Sequence, residues 1–253
     1  MILQNLVAAL ELPASCRVDQ RIPKKLLIEN GVTTAADKRN ISEGIEEIQW
    51  VATLKPTSIG VPEYRDEIRE YLEIAVLHIA LRQDAKASRI AELTHRAVPY
   101  PILLLLTEQN QLTLSIAHIR WAQNEAGKVV LDGGLVAVDL NEPTPAPEVF
   151  TAFLQALSIT RQPRDNLRVL YQGWSDTLAA FQAAQITGVF TQSQTDEQAA
   201  ARRVSLLACR ELEQQITALR TAAAKEKQLA RQVALNLEIK QLQTKQHQSA
   251  SNL

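Results

Sequence analysis

A nearly continuous apolar run, YLEIAVLHIAL, extends from Tyr71 to Leu81. Such a run is expected for a β-strand that is covered on both faces of its sheet. The stretch before it, IEEIQWVATL from Ile45 to Leu54, instead alternates between apolar and polar residues and ends at Lys55-Pro56. This alternation predicts a half-buried strand. The two stretches together predict the start of a sheet.

The residues that follow predict one helix and two pairs of strands. A helix is expected from Asp84 to Val98, because apolar residues recur at helical spacing and Pro99 closes it. Next, Ile102 to Thr107 and Leu112 to Trp121 predict a hairpin around a polar turn. A further pair of strands flanks the turn Asp132-Gly133-Gly134, namely Val129 to Leu131 and Leu135 to Leu140.

Helices are predicted on both sides of these strands. One runs from Met1 to Leu12, and a second follows a capping Thr33 or Thr34. Beyond the proline-rich connector Asn141 to Glu148, two more are expected, at Val149 to Ile159 and Ser175 to Thr187.

These elements predict an α/β (α+β) domain over residues 1–190. Its mixed sheet of about five or six strands occupies residues 45–140, and its helical part occupies residues 149–190.

Residues 199–248 contain neither Gly nor Pro, and Leu212, Ile216 and Leu219 follow the spacing of a coiled-coil seam. We expect a long basic helix here, or a helical hairpin, with coiled-coil character in its first half. Such a helix must bury its apolar side. It either binds a protein partner or a second copy of the chain through this seam, or it folds back on its own domain.

The formal net charge of −1 hides an uneven distribution. Residues 201–253 carry nine Lys or Arg and four Glu, a net charge of +5, which leaves −6 for residues 1–200. The chain is therefore predicted to carry an acidic domain and a basic helical tail.

Composition and motifs exclude several classes of protein. Aromatic residues make up only 4% of the chain, which argues against an all-β fold. Cys16 and Cys209 form no metal or disulfide framework, and no histidine lies at metal-ligand spacing, so no cofactor is predicted. Glycine-rich phosphate loops and the nucleophile elbow are missing. With no membrane-length apolar run and no secretory signal, we expect a cytoplasmic protein.

The order of strand, strand, helix and strand resembles that of restriction-type nucleases, which hold acidic residues around a divalent metal. Glu47, Glu73 and Asp84 are the candidate carboxylates, but no strand carries the central lysine that such a site needs. The alternative interpretation is that these are solvated carboxylates at strand ends.

The tail also carries a set of basic residues, Lys225, Lys227, Arg231 and Lys240. On one helix face they would contact the phosphates of nucleic acid or a protein partner. The alternative is a solvated helix with intrahelical ion pairs.

Three stretches resemble a bacterial family, the domain of unknown function numbered 4391. They are Ile22-Pro23-Lys24, the strand–helix–strand unit with Glu73-Ile74 and Val98-Pro99-Tyr100-Pro101-Ile102-Leu103, and the tail with Glu226-Lys227-Gln228, Arg231, Asn236, Glu238-Ile239-Lys240 and Leu242. The resemblance implies that the gene for this chain lies next to genes for helicase-like ATPases and DNA methyltransferases, in restriction or antiphage islands.

The resulting hypothesis is a non-enzymatic accessory subunit of such DNA-processing machinery, bound to a helicase-like ATPase or a DNA methyltransferase. The alternatives are a divergent metal-dependent nuclease and DNA binding by the basic tail.

Overall fold

The computed structural model describes residues 2–31, 34–123, 125, 127–140 and 146–253. Two compact units are found, Met1–Leu178 and Ala179–Leu253. The predicted boundary near residue 190 falls within the second unit. Residues 141–145, most of the predicted proline-rich connector, lie outside the described residues, and so does the candidate cap Thr33.

Six strands of the first unit form one mixed sheet in the order β1-β2-β5-β6-β7-β10. The described strands are β1 (Arg17–Arg21), β2 (Ile45–Leu54), β3 (Tyr64–Arg65), β4 (Glu70–Tyr71), β5 (Ile74–Leu81), β6 (Ile102–Glu108), β7 (Gln111–Ile116), β8 (Ile119–Trp121), β9 (Val129–Leu131) and β10 (Val136–Asp139). Within this sheet β5 and β6 are parallel, and the other neighbours are antiparallel. The predicted mixed sheet with flanking helices is confirmed.

The helices precede, interrupt and follow the sheet. They are α1 (Ile2–Ala9), α2 (Lys25–Gly31), α3 (Ala35–Gly44), α4 (Pro56–Ile59), α5 (Ala87–Ala97), α6 (Pro147–Ala156), α7 (Leu167–Thr187), α8 (Asp196–Lys225) and α9 (Leu229–Ala250). Thr34 is the cap of α3, since its hydroxyl accepts a hydrogen bond from the backbone N–H of Asp37 at 3.1 Å.

One face of the sheet packs against α2, α3 and α5. Alternate residues of β5 point to this face because side chains along a strand alternate between its two sides. Leu77 and Ile79 of β5 join Leu27 of α2, Ile41 of α3 and Ile90 of α5 in one buried cluster. The connection from β5 to β6 runs through α5, as a parallel strand pair requires.

Helix α7 covers part of the other face, near the start of β6. The hydroxyl of Tyr171 donates to the carbonyl of Ile102 at 2.7 Å, and Trp174 donates its indole N–H to the carbonyl of Leu157 at 2.9 Å. Both side chains are fully buried. This end of the face belongs to the hydrophobic core.

The same face is open farther along the strands. On β5 the side chains change from buried Val76 to half-buried His78, and on β2 from buried Val51 to half-buried Gln49. On β6, half-buried Thr107 follows buried Leu105. Polar side chains thus replace apolar ones on three adjacent strands at the uncovered part of the sheet.

Strand β1, which was not predicted from the sequence, is one edge of the sheet. All five of its residues are exposed. Its register with β2 shifts between Arg17 and Gln20, and Asp19 has a φ of 48°. An exposed, bulged and charged strand is typical of a sheet edge that does not accept another strand.

The two strands around Asp132-Gly133-Gly134 do not pair with each other, which corrects the predicted pairing. Instead β9 pairs with β8, and β10 pairs with β7 at the second edge of the sheet. The backbone N–H of Asp132 donates to the carbonyl of His118 at 2.8 Å, which extends the β8–β9 pairing to the start of the turn. Gly133 has a φ of 99°, which glycine adopts readily, and this conformation turns the chain away from β9 before β10 begins.

In the second unit, α8 and α9 form an antiparallel helical hairpin. The region predicted as a long helix or a hairpin is therefore the hairpin, broken at residues 226–228. None of the described helices is long and apolar enough to cross a membrane.

Candidate functional site

The register of the α8–α9 hairpin is set by hydrogen bonds between the two helices. Gln232 of α9 donates to the carbonyl of Ala223 at 3.3 Å, close to the connection. Nearer the other end, the amide of Gln246 donates to a carboxylate oxygen of Glu213 at 2.8 Å. At each contact the residue numbers rise on α9 as they fall on α8, so the two helices run antiparallel.

The predicted coiled-coil seam faces the inside of this hairpin. Ile216 is only 1% exposed, and Leu212 and Leu219 are half-buried. Both flanking residues of the seam contact α9, since Cys209 Sγ lies 3.9 Å from the carbonyl of Gln246 and Ala223 accepts the bond from Gln232. The seam therefore packs against another helix of the same chain.

The outer side of α9 carries a row of apolar side chains. Leu229, Val233 and Leu237 are 75%, 52% and 59% exposed, and each follows the previous one after four residues. Residues at this spacing share one side of a helix. We call these three residues the outer row. Together they form a row of solvent-exposed apolar side chains on one side of α9.

The outer row was not predicted, although its four-residue spacing is visible in the sequence. Helix α9 has a second apolar stripe, Leu235, Ile239 and Leu242, on its other side. Ile239 is buried and Leu235 and Leu242 are half-buried, so this second stripe faces α8. Spacing alone cannot tell which of two stripes faces inward.

The four predicted cations of the tail are all exposed, but they do not share one face. Arg231 and Lys240 are nine residues apart on α9, which is two and a half turns and places them on opposite sides. Lys240 lies three residues after Leu237 and so shares the side of the outer row. Lys225 ends α8, and Lys227 lies in the connection just before Leu229.

The three candidate carboxylates are not brought together. Glu73 directly precedes β5 and Asp84 follows it, so the length of the eight-residue strand, about 25 Å, lies between them. Glu73 forms an ion pair with Lys55 at 3.3 Å, and Glu47 forms one with Arg21 at 3.4 Å. Glu47 lies opposite Ala80, at the same end of the sheet as Asp84.

Metal ligation finds no support in the part of the chain that the structure describes. There, no group of three or more His, Cys, Asp or Glu side chains is close enough to hold a metal ion. The backbone N–H of Asp84 donates to a carboxylate oxygen of Glu108 at 2.7 Å, which gives these residues a role in the turn after β5.

A family model with the description "Domain of unknown function (DUF4391)" matches residues 10–245. No curated protein and no solved structure matches the chain.

Proposed function

This chain belongs to the family described as domain of unknown function DUF4391, and we propose that it is a non-enzymatic subunit that binds a DNA-processing enzyme through α9. The proposed partner is a helicase-like ATPase or a DNA methyltransferase of a restriction or antiphage system. The choice of these partner classes comes from the family resemblance, and the choice of surface comes from the geometry of the hairpin.

The outer row is the observation that carries the proposal. Burying a fully exposed Leu or Val side chain contributes about 1.5–3 kcal/mol, and each of these partly exposed side chains contributes a corresponding fraction of it. Three such side chains in one row supply the apolar centre of a helix-docking interface. Because the inner side of α9 already packs on α8, the outer row is available without unfolding the hairpin.

The cations beside the outer row, Lys227 and Lys240, outnumber the one carboxylate of the connection, Glu226, and so favour an acidic partner surface. Lys240 shares the side of the outer row, and Lys227 precedes Leu229 by two residues. Exposed cations at the rim of an apolar patch attract a surface of opposite charge and set its orientation. The partner surface that fits is an apolar groove or helix with acidic residues at its border.

The experiment is a binding measurement between the purified full chain and each purified candidate enzyme, the helicase-like ATPase and the DNA methyltransferase. Val233→Asp places a charge in the centre of the outer row and is expected to weaken binding by at least about 100-fold. Val204→Asp is the matched control, because Val204 is 69% exposed on α8 and lies outside the outer row. Circular dichroism of both variants checks that the hairpin stays folded.

Three outcomes contradict the proposal. The first is that neither enzyme binds the chain. The second is that Val233→Asp and Val204→Asp weaken binding equally. The third is cleavage of DNA by the chain alone in the presence of Mg²⁺ and its loss in Glu73→Gln, which would revive the nuclease alternative.

A further inference from the structure

A groove of about 500 Å³ lies in the first unit, between α1 and the open part of the sheet. Its floor is formed by Gln49 and Val51 of β2 and by His78 of β5. Leu3, Val7 and Leu12 form the opposite wall. Pockets of this size bind small molecules in many proteins.

Two polar side chains of the floor lie next to each other. Gln49 and His78 are direct partners in the β2–β5 pairing, which brings their Cβ atoms to about 5 Å. Nε2 of His78 lies 2.8 Å from the hydroxyl oxygen of Thr107, and this hydrogen bond orients the ring. Within the described residues, neither Nδ1 of His78 nor the side-chain amide of Gln49 has a hydrogen-bond partner.

The floor carries no net charge. Burial lowers the pKa of His78, and nearby Glu47 only partly opposes this, so the imidazole is neutral at pH 7. A neutral imidazole and an amide offer both donors and acceptors. Together they match an edge on which a donor and an acceptor lie side by side.

The charges at the mouth of the groove do not favour an anion. Arg17 lies 3.8 Å from Asp19, which balances its charge. Glu11, on the same rim, accepts hydrogen bonds from the hydroxyls of Ser158 and Thr160 and adds a negative charge. A phosphate or carboxylate would meet a net negative rim, so the groove suits an uncharged molecule.

The wall opposite the floor, formed by α1 and the residues just after it, is mostly apolar and partly open. Leu3, Val7 and Leu12 are half-buried, and the polar side chains of Gln4 and Glu11 also line this side of the groove. The flat face of a ring buries apolar area against such a wall, while its polar edge points to the floor.

We propose that this groove binds an uncharged planar heterocycle with adjacent hydrogen-bond donor and acceptor groups, of the size of a nucleoside. Gln49 and His78 contact the polar edge, and the apolar wall contacts the ring face. The site lies in the first unit and is independent of the surface proposed for the protein partner.

The test is isothermal titration of the full chain with adenosine, guanosine, cytidine and uridine, and with the 5′-monophosphate of each nucleoside. At least one nucleoside is expected to bind with a dissociation constant below about 1 mM, and its monophosphate is expected to bind more weakly. Gln49→Met keeps the size of the side chain but removes its donor and acceptor, and should weaken binding about tenfold.

Two further variants make the test specific. Gln20→Met is the matched control, since Gln20 is exposed on β1 and does not line the groove; its binding should equal that of the unchanged protein. Val7→Gln introduces a polar group into the wall and should also weaken binding. The proposal is overturned if no nucleoside binds, if a monophosphate binds more tightly than its nucleoside, or if either Gln49→Met or Val7→Gln binds as tightly as the unchanged protein.

Discussion

Nε2 of His95 lies 2.9 Å from the hydroxyl oxygen of Ser115, and both residues are completely buried between α5 and β7. Within the described part of the chain, Nδ1 of His95 has no hydrogen-bond partner. Burial lowers the pKa of His95 from its ordinary value near 6.5 to about 3. The folded protein therefore holds this ring in its neutral form.

The free energy of unfolding should fall as the pH decreases from about 6.5 towards 3. In this range His95 binds a proton in the unfolded chain but not in the folded protein, so protons favour unfolding. One such group contributes a slope of up to about 1.4 kcal/mol per pH unit. Urea unfolding at a series of pH values measures this slope, and His95→Gln should reduce it by that amount. An unchanged slope in the variant would show that His95 is not the responsible group.

Removal of the Tyr171 hydroxyl should destabilise the first unit. This hydroxyl donates to the carbonyl of Ile102 and accepts from the backbone N–H of Ala117 at 3.1 Å, and all of these groups are buried. Tyr171→Phe removes the hydroxyl partner of both groups and should lower the free energy of unfolding, measured with urea, by about 1–3 kcal/mol. Tyr64→Phe is the control, because its hydroxyl bonds to exposed Asp66 and its loss should cost less than about 0.5 kcal/mol.

The ion pair between Asp37 and Arg89 should stabilise the protein only while Asp37 is charged. Two hydrogen bonds from Arg89, each 2.8 Å long, are the main cause that lowers the pKa of Asp37 to about 2. The contribution of this ion pair to the free energy of unfolding is present above about pH 4 and is lost as the pH falls through about 2.

Asp37→Asn should therefore lower the free energy of unfolding at pH 7, and its difference from the unchanged protein should shrink at low pH. Glu29→Gln serves as the comparison, since Glu29 forms an exposed pair with Lys25 at 3.3 Å. Surface pairs of this kind contribute little. A difference for Asp37→Asn that persisted at pH 2 would indicate lost packing rather than lost charge.

Ile216→Ala should destabilise the helical hairpin by about 2–5 kcal/mol, because it leaves a cavity at the centre of the α8–α9 contact. Val204→Ala deletes apolar atoms from the exposed side of α8 and should change stability by less than about 0.5 kcal/mol. Far-UV circular dichroism during urea unfolding measures both. Equal effects of the two substitutions would contradict the packing of the seam inside the hairpin.

Regular periodicity in the sequence was sufficient to predict much of the sheet. Strand β2 has the predicted bounds, Ile45–Leu54, although its alternation is interrupted by register shifts between Ile45 and Glu47 and between Trp50 and Ala52. Strand β1 could not be predicted, since all of its side chains are exposed and nothing in their order marks a buried face. The pairing of β9 with β8 was missed because it depends on contacts between the two strands. The turn at Gly133 is compatible with this pairing but does not determine it.

The candidate surfaces were harder to predict than the sheet. Leu212, Ile216 and Leu219 were recognised as a seam, but their partner was found on α9 of the same chain. Only the three-dimensional register shows that Leu235 and Ile239 face inward and that Leu229, Val233 and Leu237 remain outside. The groove at His78 was missed for a similar reason. It forms between α1 and residues of β2 and β5 that are distant from α1 in the sequence.

The short connection between α8 and α9 has a consequence for how the protein folds. Residues 226–228 are enough to bring the two helices together, whereas the sheet must join Arg17 to Ala52 and Ala75 to Ile102. Contacts between near neighbours form sooner, because less chain entropy is lost in closing the loop. We therefore expect refolding in two kinetic phases, with the hairpin acquiring its helical signal first and the sheet completing its core afterwards.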